Sequence, residues 1–309
     1  MTLTKTATGW IAQDQLMSYA TPGVEQLSYG VDLWTRAADL AGLNWEPTTR
    51  RLYDVLTDTH VPGVHGVWND RTFLGIATEK HKLISHKGLG EVVSTIQDVH
   101  DAPITAVVVL DGGRRVGVRV THGLAEVPFD ASPIERETWA WLRHDAKGSL
   151  SIIENAQRLF CTNQLGMLSG MEAALRVRHT GDVAAKTADL IEKLRAREDD
   201  WKLWEQEMAS LQQTPVSDAA FDRFTRLYIP EPIPPVSATR AHDAQERLMG
   251  TWLGYTPDLG NNAYAGFQAI TEFEDKLRAS RGAVSRFQRA IQPNPNKDRG
   301  LRMLVEVAR

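Results

Sequence analysis

Residues 104–121, ITAVVVLDGGRRVGVRVT, decide how the first half of the chain folds. Two apolar-rich runs, Ile104–Leu110 and Arg115–Thr121, flank Asp111-Gly112-Gly113. Glycine takes positive φ without steric penalty, so this turn predicts a tight β-hairpin. In the second run Arg115, Gly117, Arg119 and Thr121 alternate with Val116, Val118 and Val120. Side chains alternate across a strand, so the arginines are expected on one face and the valines on the other.

Working outward, Val64–Trp68 and Thr72–Thr78 predict another hairpin through Asn69-Asp70-Arg71. Gly88–Val99 carries Leu89, Val92, Val93 and Ile96 at helical spacing. Gln26–Leu43 reads the same way through Leu27, Val31, Trp34, Ala38 and Ala41, with Gly42 as a stop. Pro47 disfavours helix at Glu46, so extended chain follows. Downstream, Glu137–Arg143 and Leu150–Glu154 predict strands around the turn Asp145–Gly148, while Arg158–Leu168 fits a strand or a helix start.

Beyond residue 180 the pattern turns helical. Val183–Gln213 is long and amphipathic, with Trp201 and Trp204. Asp218–Tyr228, Ala241–Leu253 and Ala263–Ala279 predict further helices. Pro230, Pro232, Pro234 and Pro235 form a stiff linker. Gln292-Pro-Asn-Pro-Asn296 is a loop before a last short helix. The reading is α+β: an antiparallel sheet-rich N-terminal half followed by a mostly helical C-terminal half. It divides into a sheet domain, 1–180, and a helical region, 181–309.

Composition narrows the class. The chain has 309 residues, 42% hydrophobic, enough to bury a large core and too apolar to be disordered. No apolar run approaches about 18 residues, so no membrane span is expected. Residues 1–19 lack a basic stretch followed by an apolar one, so no signal peptide is expected. The single cysteine, Cys161, excludes an intrachain disulfide and a cysteine-based zinc site, which places the protein in a reducing cytoplasm, that of a host cell.

Net charge is −4, but residues 276–309 carry nine basic and two acidic residues. That stretch is a candidate phosphate-contacting surface. The alternative, commoner for charge runs, is a solvated helix face that pairs with the acidic segment upstream.

No motif names a reaction. The pairs His60/His65 and His81/His86 lack the zincin spacing, so no metal is expected. Phe160-Cys161-Thr162-Asn163 carries no protease signature, and Cys161 reads as a small buried hydrophobe. GxxxxGK[ST] and GxGxxG are absent, so neither a nucleotide-hydrolysing activity nor a cofactor is expected. Lys80, Lys82, His86 and Lys87 follow the first hairpin, and Arg114, Arg115 and Arg119 decorate the second. On one face these would suit a sugar-phosphate backbone, with Trp45, Trp68, Trp139 and Trp141 as candidates to stack on bases. Most of the nine tryptophans read as core.

Several stretches, in order, resemble the phage/plasmid-like protein family, a domain of unknown function (number 932). LWTRAADLAGLNWEPTTRRLY (33–53) resembles its "AGLDW" opening, and Val61-Pro62-Gly63, Trp68-Asn69-Asp70 and Leu74-Gly75-Ile76 its hairpin ending in "LGVV". HDAKGS (144–149) resembles "HDGS" with two residues inserted, RLFCTNQL (158–165) "RVVCxNTL", and RHTG (178–181) "RHTG". YAGFQAITEFED (264–275) resembles "naVTEYvDH", with Lys276 at the final position. The family's "rYtpvqN" segment is replaced by EKHKLIS (79–85).

The resemblance implies a phage or plasmid origin and an intracellular setting, but no activity. The order of elements is similar to that of phage annealing proteins of the Erf-like and RecT-like kinds, which bind DNA without ATP and oligomerise. The expectation is an ATP-independent single-stranded-DNA binding and annealing protein acting as a homo-oligomer. Its contacts would come from Lys80, Lys82, Lys87, Arg114, Arg115 and Arg119, with Arg158 and His144 on phosphate in the functional reading of their segments. In the structural reading, His144, Asp145, Arg158, Cys161, Asn163 and His179 hold the sheet against the helices. The alternative is a non-enzymatic phage factor that binds a host or phage protein through Trp201, Trp204 and the proline-rich linker. An enzyme built on His144, Asp145, Cys161 and His179 shows no triad spacing and is not expected.

Overall fold

A computed structural model describes the chain apart from residues 1–2, 7–8, 13–19, 28–31, 162, 167–173, 178, 196–197, 234–236 and 280–281. Strands β1 (Leu3–Thr6) and β2 (Gly9–Ala12) pair with each other. Helix α1 (Leu33–Leu40) follows, then β3 (Thr48–Asp54), β4 (Thr59–Asn69) and β5 (Thr72–Thr78), a three-stranded antiparallel sheet. Helix α2 (His86–His100) leads into the main sheet. Its strands are β6 (Ile104–Leu110), β7 (Arg115–Leu124), β8 (Ile134–Arg143) and β9 (Leu150–Arg158), with β10 (Asn163–Gln164) and β11 (Ala174–Val177) both on β9. The helices are α3 (Val183–Arg195), α4 (Glu198–Gln213), α5 (Asp218–Tyr228), α6 (Thr239–Leu259), α7 (Ala263–Glu272), α8 (Ala283–Ile291) and α9 (Pro295–Ala308). A sheet-rich half thus precedes a helical half, as the sequence predicts.

The β6–β7 hairpin is turned by Gly112 and Gly113, at φ 67° and 94°. Alternation on β7 then sets the layers. Val116, Val118 and Val120 join Val107, Ala140, Leu142 and Ile152 in one core, against Leu89, Val92, Val93 and Ile96 of α2 and Leu33 and Ala37 of α1. Each fully buried Val, Leu or Ile side chain among them contributes roughly 1.5–3 kcal/mol. On the opposite face Gly117 lies under Trp141, where a Cβ would come within 2.2 Å of the indole. This face is roofed by α8. Phe287 meets Trp139 and Trp141 at ring-centre distances of 5.9 and 6.3 Å, with Ile291 and Val284 beside it. The largest core draws Val127, Ile134, Ala156, Cys161 and Leu165 together with Trp201, Trp204, Phe221, Phe224, Trp252, Tyr264 and Phe267.

Some boundaries differ from the sequence reading. Helix α1 begins at Leu33, not Gln26; Asp32, at φ 64°, precedes it, and Val31 lies outside the described residues. In the stretch Val183–Gln213 the described residues form α3 and α4, and 196–197 between them lie outside the described residues. Helix α6 runs past Leu253 to Leu259, tolerating Pro257 in its last turn. After α7 the chain widens into a π-helical turn, Phe273–Leu277. Arg158 ends a strand, and Leu168 lies outside the described residues. Among the described residues five elements have no sequence-based expectation: β1, β2, β3 as a strand, β11 and α8.

Among the described residues, no helix is long and apolar enough to cross a membrane.

Candidate nucleic-acid interface

The seven basic residues singled out in the sequence do not form one groove. Lys80, Lys82, Lys87 and Arg114 are exposed. Arg115 is half-buried and paired with Asp111 in its own hairpin turn. Arg119 is turned inward, donating to Thr105 Oγ1 (3.0 Å), Glu137 Oε2 (3.3 Å) and Gln157 Oε1 (3.1 Å). Arg158 is only 6% exposed. Its guanidinium donates to both carboxylate oxygens of Asp130, at 2.7 and 2.8 Å. Arg119 and Arg158 are therefore structural cations, which corrects the expectation that they face phosphate. Trp139 and Trp141 do share a strand face, but α8 buries it, so they present no stacking surface. Trp201 and Trp204 are likewise core, which removes them as a docking surface. Pro234 and Pro235 lie outside the described residues.

The family-like stretches converge in two buried polar clusters. Beside α2, Ser85 caps the helix by accepting from Gly88 N (3.0 Å), and Glu46 accepts from His86 N (2.8 Å) and Lys87 N (3.2 Å). These acceptors occupy amide groups that the helix leaves unpaired. His86 Nδ1 lies 2.7 Å from Trp45 O, so this nitrogen donates. Its Nε2 then accepts from His144 Nε2, 3.1 Å away, which leaves His144 Nδ1 a buried lone pair without a hydrogen-bond partner. Burial pushes His86 down and His144 down to about 3. His179 donates through Nδ1 to Lys82 O (2.9 Å) and stacks on His81 at 4.6 Å. Burial, with His179 beside it, lowers His81 to about 4. Among the described residues, no three His, Cys, Asp or Glu side chains are grouped to hold a metal ion.

The second cluster joins sheet to helices. Asn163 donates to Tyr255 Oη (2.9 Å) and Gln268 Oε1 (3.0 Å), and accepts from Lys276 (3.0 Å). Tyr255 donates to Glu272. Lys297 pairs with Asp275 (2.7 Å) and donates to Gln164 O (2.7 Å). Tyr264 donates to Asp130 (2.6 Å), the partner of Arg158. Cys161 Sγ lies 3.5 Å from Arg158 Nη1, while His144 and His179 belong to the other cluster. The structural reading of these segments fits this arrangement: most of their buried groups bond to one another, while His144 Nδ1, His179 Nε2 and Gln268 Nε2 have no hydrogen-bond partner among the described residues.

The profile of a domain of unknown function (DUF932) matches residues 73–299. The chain is a DUF932 protein. No curated protein and no solved structure matches it. Both polar clusters are built largely from residues inside the matched span.

One basic and aromatic surface of this DUF932 protein is partly exposed: Arg50, Ile76 and Arg114 are exposed, and Trp68 and Phe73 are half-buried. The three-stranded sheet buries Val67, Leu74 and Ala77 on one face, against Trp45, Leu83 and Ala146. The other face carries Arg50, Leu52, Gly66, Trp68, Phe73 and Ile76. Gly66 is required there, because a Cβ would sit 2.6 Å from Trp68 Nε1. The guanidinium of Arg50 lies 5.1 Å over the Trp68 ring and donates to Asp70 O (2.6 Å). Phe73 meets Trp68 edge-on at 5.2 Å. Arg114 closes the edge by donating to Phe73 O (3.1 Å). Arg71 is exposed in the β4–β5 turn. Sequence reading found Trp68 and Arg114 but missed Arg50 and Phe73. Period-two spacing of Arg50 with Thr48 and Leu52 was the available signal, had β3 been read as a strand.

At the far end of this sheet the β3–β4 turn exposes Val55 (96%) and Leu56 (94%), with Tyr53 at 54%.

Proposed function

We propose that this DUF932 protein binds and anneals single-stranded DNA without ATP, as a homo-oligomer. The observation that carries the reading is the sheet face on which half-buried Trp68 and Phe73 lie between the exposed Arg50 and Arg114. Aromatic faces stack on unpaired bases at about 1–3 kcal/mol per base, whatever the sequence. Guanidinium groups beside them neutralise phosphates. Lys80, after β5, adds a cation at the other end of the same sheet.

Self-association is supported by the exposed tip. Val55 and Leu56 are nearly fully solvated in the monomer. Burying them on a neighbouring copy removes apolar surface from water, at about 25 cal/mol per Å². The same tip supports a second reading, a factor that docks on a host or phage protein.

The test is fluorescence-polarisation binding to a labelled single-stranded oligonucleotide across a salt series, with strand pairing followed by energy transfer. Affinity is expected to fall steeply with salt, and Trp68→Ala to weaken it at least fivefold. Absence of binding at low salt overturns the reading. Light scattering of Val55→Asp/Leu56→Asp against the unaltered protein separates a self-associating tip from one reserved for another partner.

A further inference from the structure

Away from the small sheet, the helical half holds a cavity of about 460 Å³ between α5, α6, the π-helical turn and α9. This lies within the roughly 300–1,000 Å³ of small-molecule sites. Four arginines line it: Arg240, Arg247, Arg278 and Arg299. Phe273, Leu277 and Ile229 form the apolar part of its wall, and Asp243 and Glu274 also line it.

The charges are not equivalent. Arg278 is spent on Glu274, donating to both carboxylate oxygens at 2.7 and 2.9 Å. Glu274 also accepts from Tyr228 Oη (2.7 Å), so this carboxylate is fully engaged. Arg299 lies 5.3 Å over the Tyr228 ring and donates to Tyr228 O (3.3 Å). Arg247 donates to the main-chain oxygen of Asp243 (3.0 Å). Among the described residues, Arg240, Arg247 and Arg299 make no ion pair with a carboxylate within 4.0 Å. Arg240 and Arg247 are seven residues apart on α6 and so share one helix face. Arg278 and Arg299 belong to the basic C-terminal stretch, and folding brings them opposite that face.

Guanidinium groups without a carboxylate partner, beside apolar and aromatic side chains, suit an anionic ligand with an apolar body. A guanidinium pairs with phosphate oxygens by two parallel hydrogen bonds, and the apolar wall takes a flat organic body. We infer that this cavity binds a phosphomonoester carried on a planar ring, the chemistry of a nucleotide, with Arg240, Arg247 and Arg299 on the phosphate. A free mononucleotide and the phosphorylated end of a DNA strand both present it. The inference does not rest on the small-sheet surface, which lies in the other half of the chain.

Calorimetry on the full chain tests it with dAMP, deoxyadenosine, and one oligonucleotide bearing either a 5′-phosphate or a 5′-hydroxyl. Binding of dAMP but not deoxyadenosine, weakened at least tenfold in Arg240→Glu/Arg247→Glu, supports a free nucleotide. A preference of at least tenfold for the 5′-phosphorylated strand, lost in the same variant and kept in Trp68→Ala, supports a strand end. Both arginines are exposed on α6, so the thermal midpoint of the variant is expected to stay unchanged and report intact folding. If neither dAMP nor the 5′-phosphate is recognised, or recognition survives in the double variant, the inference is wrong.

Discussion

Arg158 and Asp130, 28 residues apart in sequence, form a two-pronged ion pair in which both side chains are buried. Tyr264 donates to the same carboxylate from α7. Asp130 thus ties the end of β9 to the helical half. Removing one member of a buried pair strands the other, at a cost of about 3–5 kcal/mol. Arg158→Ala is expected to lose that much in urea denaturation, while Arg158→Met/Asp130→Leu loses less. Equal losses in the two variants would show that the pair itself is not the stabilising unit.

The buried histidines give stability a pH dependence of definite sign. His144 and His122 are lowered to about 3, chiefly by burial, with His86 and His100 as respective neighbours. Their folded values lie below the unfolded value near 6.5, so the unfolded chain binds more protons between the two. Stability is therefore complete above about pH 6.5 and is lost as pH falls toward 3, by about 1.4 kcal/mol per pH unit for each group. Denaturation midpoints between pH 7 and pH 5 check this. His144→Asn is expected to flatten the profile by one such group; an unchanged slope would place His144 outside the linkage.

Phe287 roofs the two strand tryptophans. Truncating a buried Phe to Ala costs about 3–5 kcal/mol. Phe287→Ala is expected to destabilise by that amount and to shift tryptophan emission to the red, since Trp139 and Trp141 would meet water. An unshifted spectrum in the destabilised variant would mean that the sheet face stays covered without it.

Salt dependence separates phosphate contacts from stacking. Each phosphate neutralised on a single strand contributes about 0.7 to the slope of log affinity against log salt. Arg50→Gln/Arg114→Gln is expected to reduce the slope by about 1.4, twice that contribution. Trp68→Ala is expected to lower affinity with the slope unchanged. A slope unaffected by losing both arginines would remove them from the interface.

The local elements were legible in the sequence because their causes are local. Gly112 and Gly113 turn the β6–β7 hairpin through backbone freedom, and the Val116, Val118, Val120 alternation selects a strand face. Both act within a few residues, so the α+β class followed from spacing, whereas β1, β2, β3, β11 and α8 carried no comparable local signal. The occupancy of each face was not legible. Trp139 and Trp141 have the same sequence signature whether they stack on bases or lie under Phe287. Arg158 reads identically whether its partner is a phosphate or Asp130. The cation cavity joins Arg240 and Arg247 to Arg278 and Arg299 across separate helices. Sequence determined what each segment could form and which side chains share its faces. Tertiary structure alone decided which faces meet water, because burial and ion pairing depend on partners that only packing brings into contact.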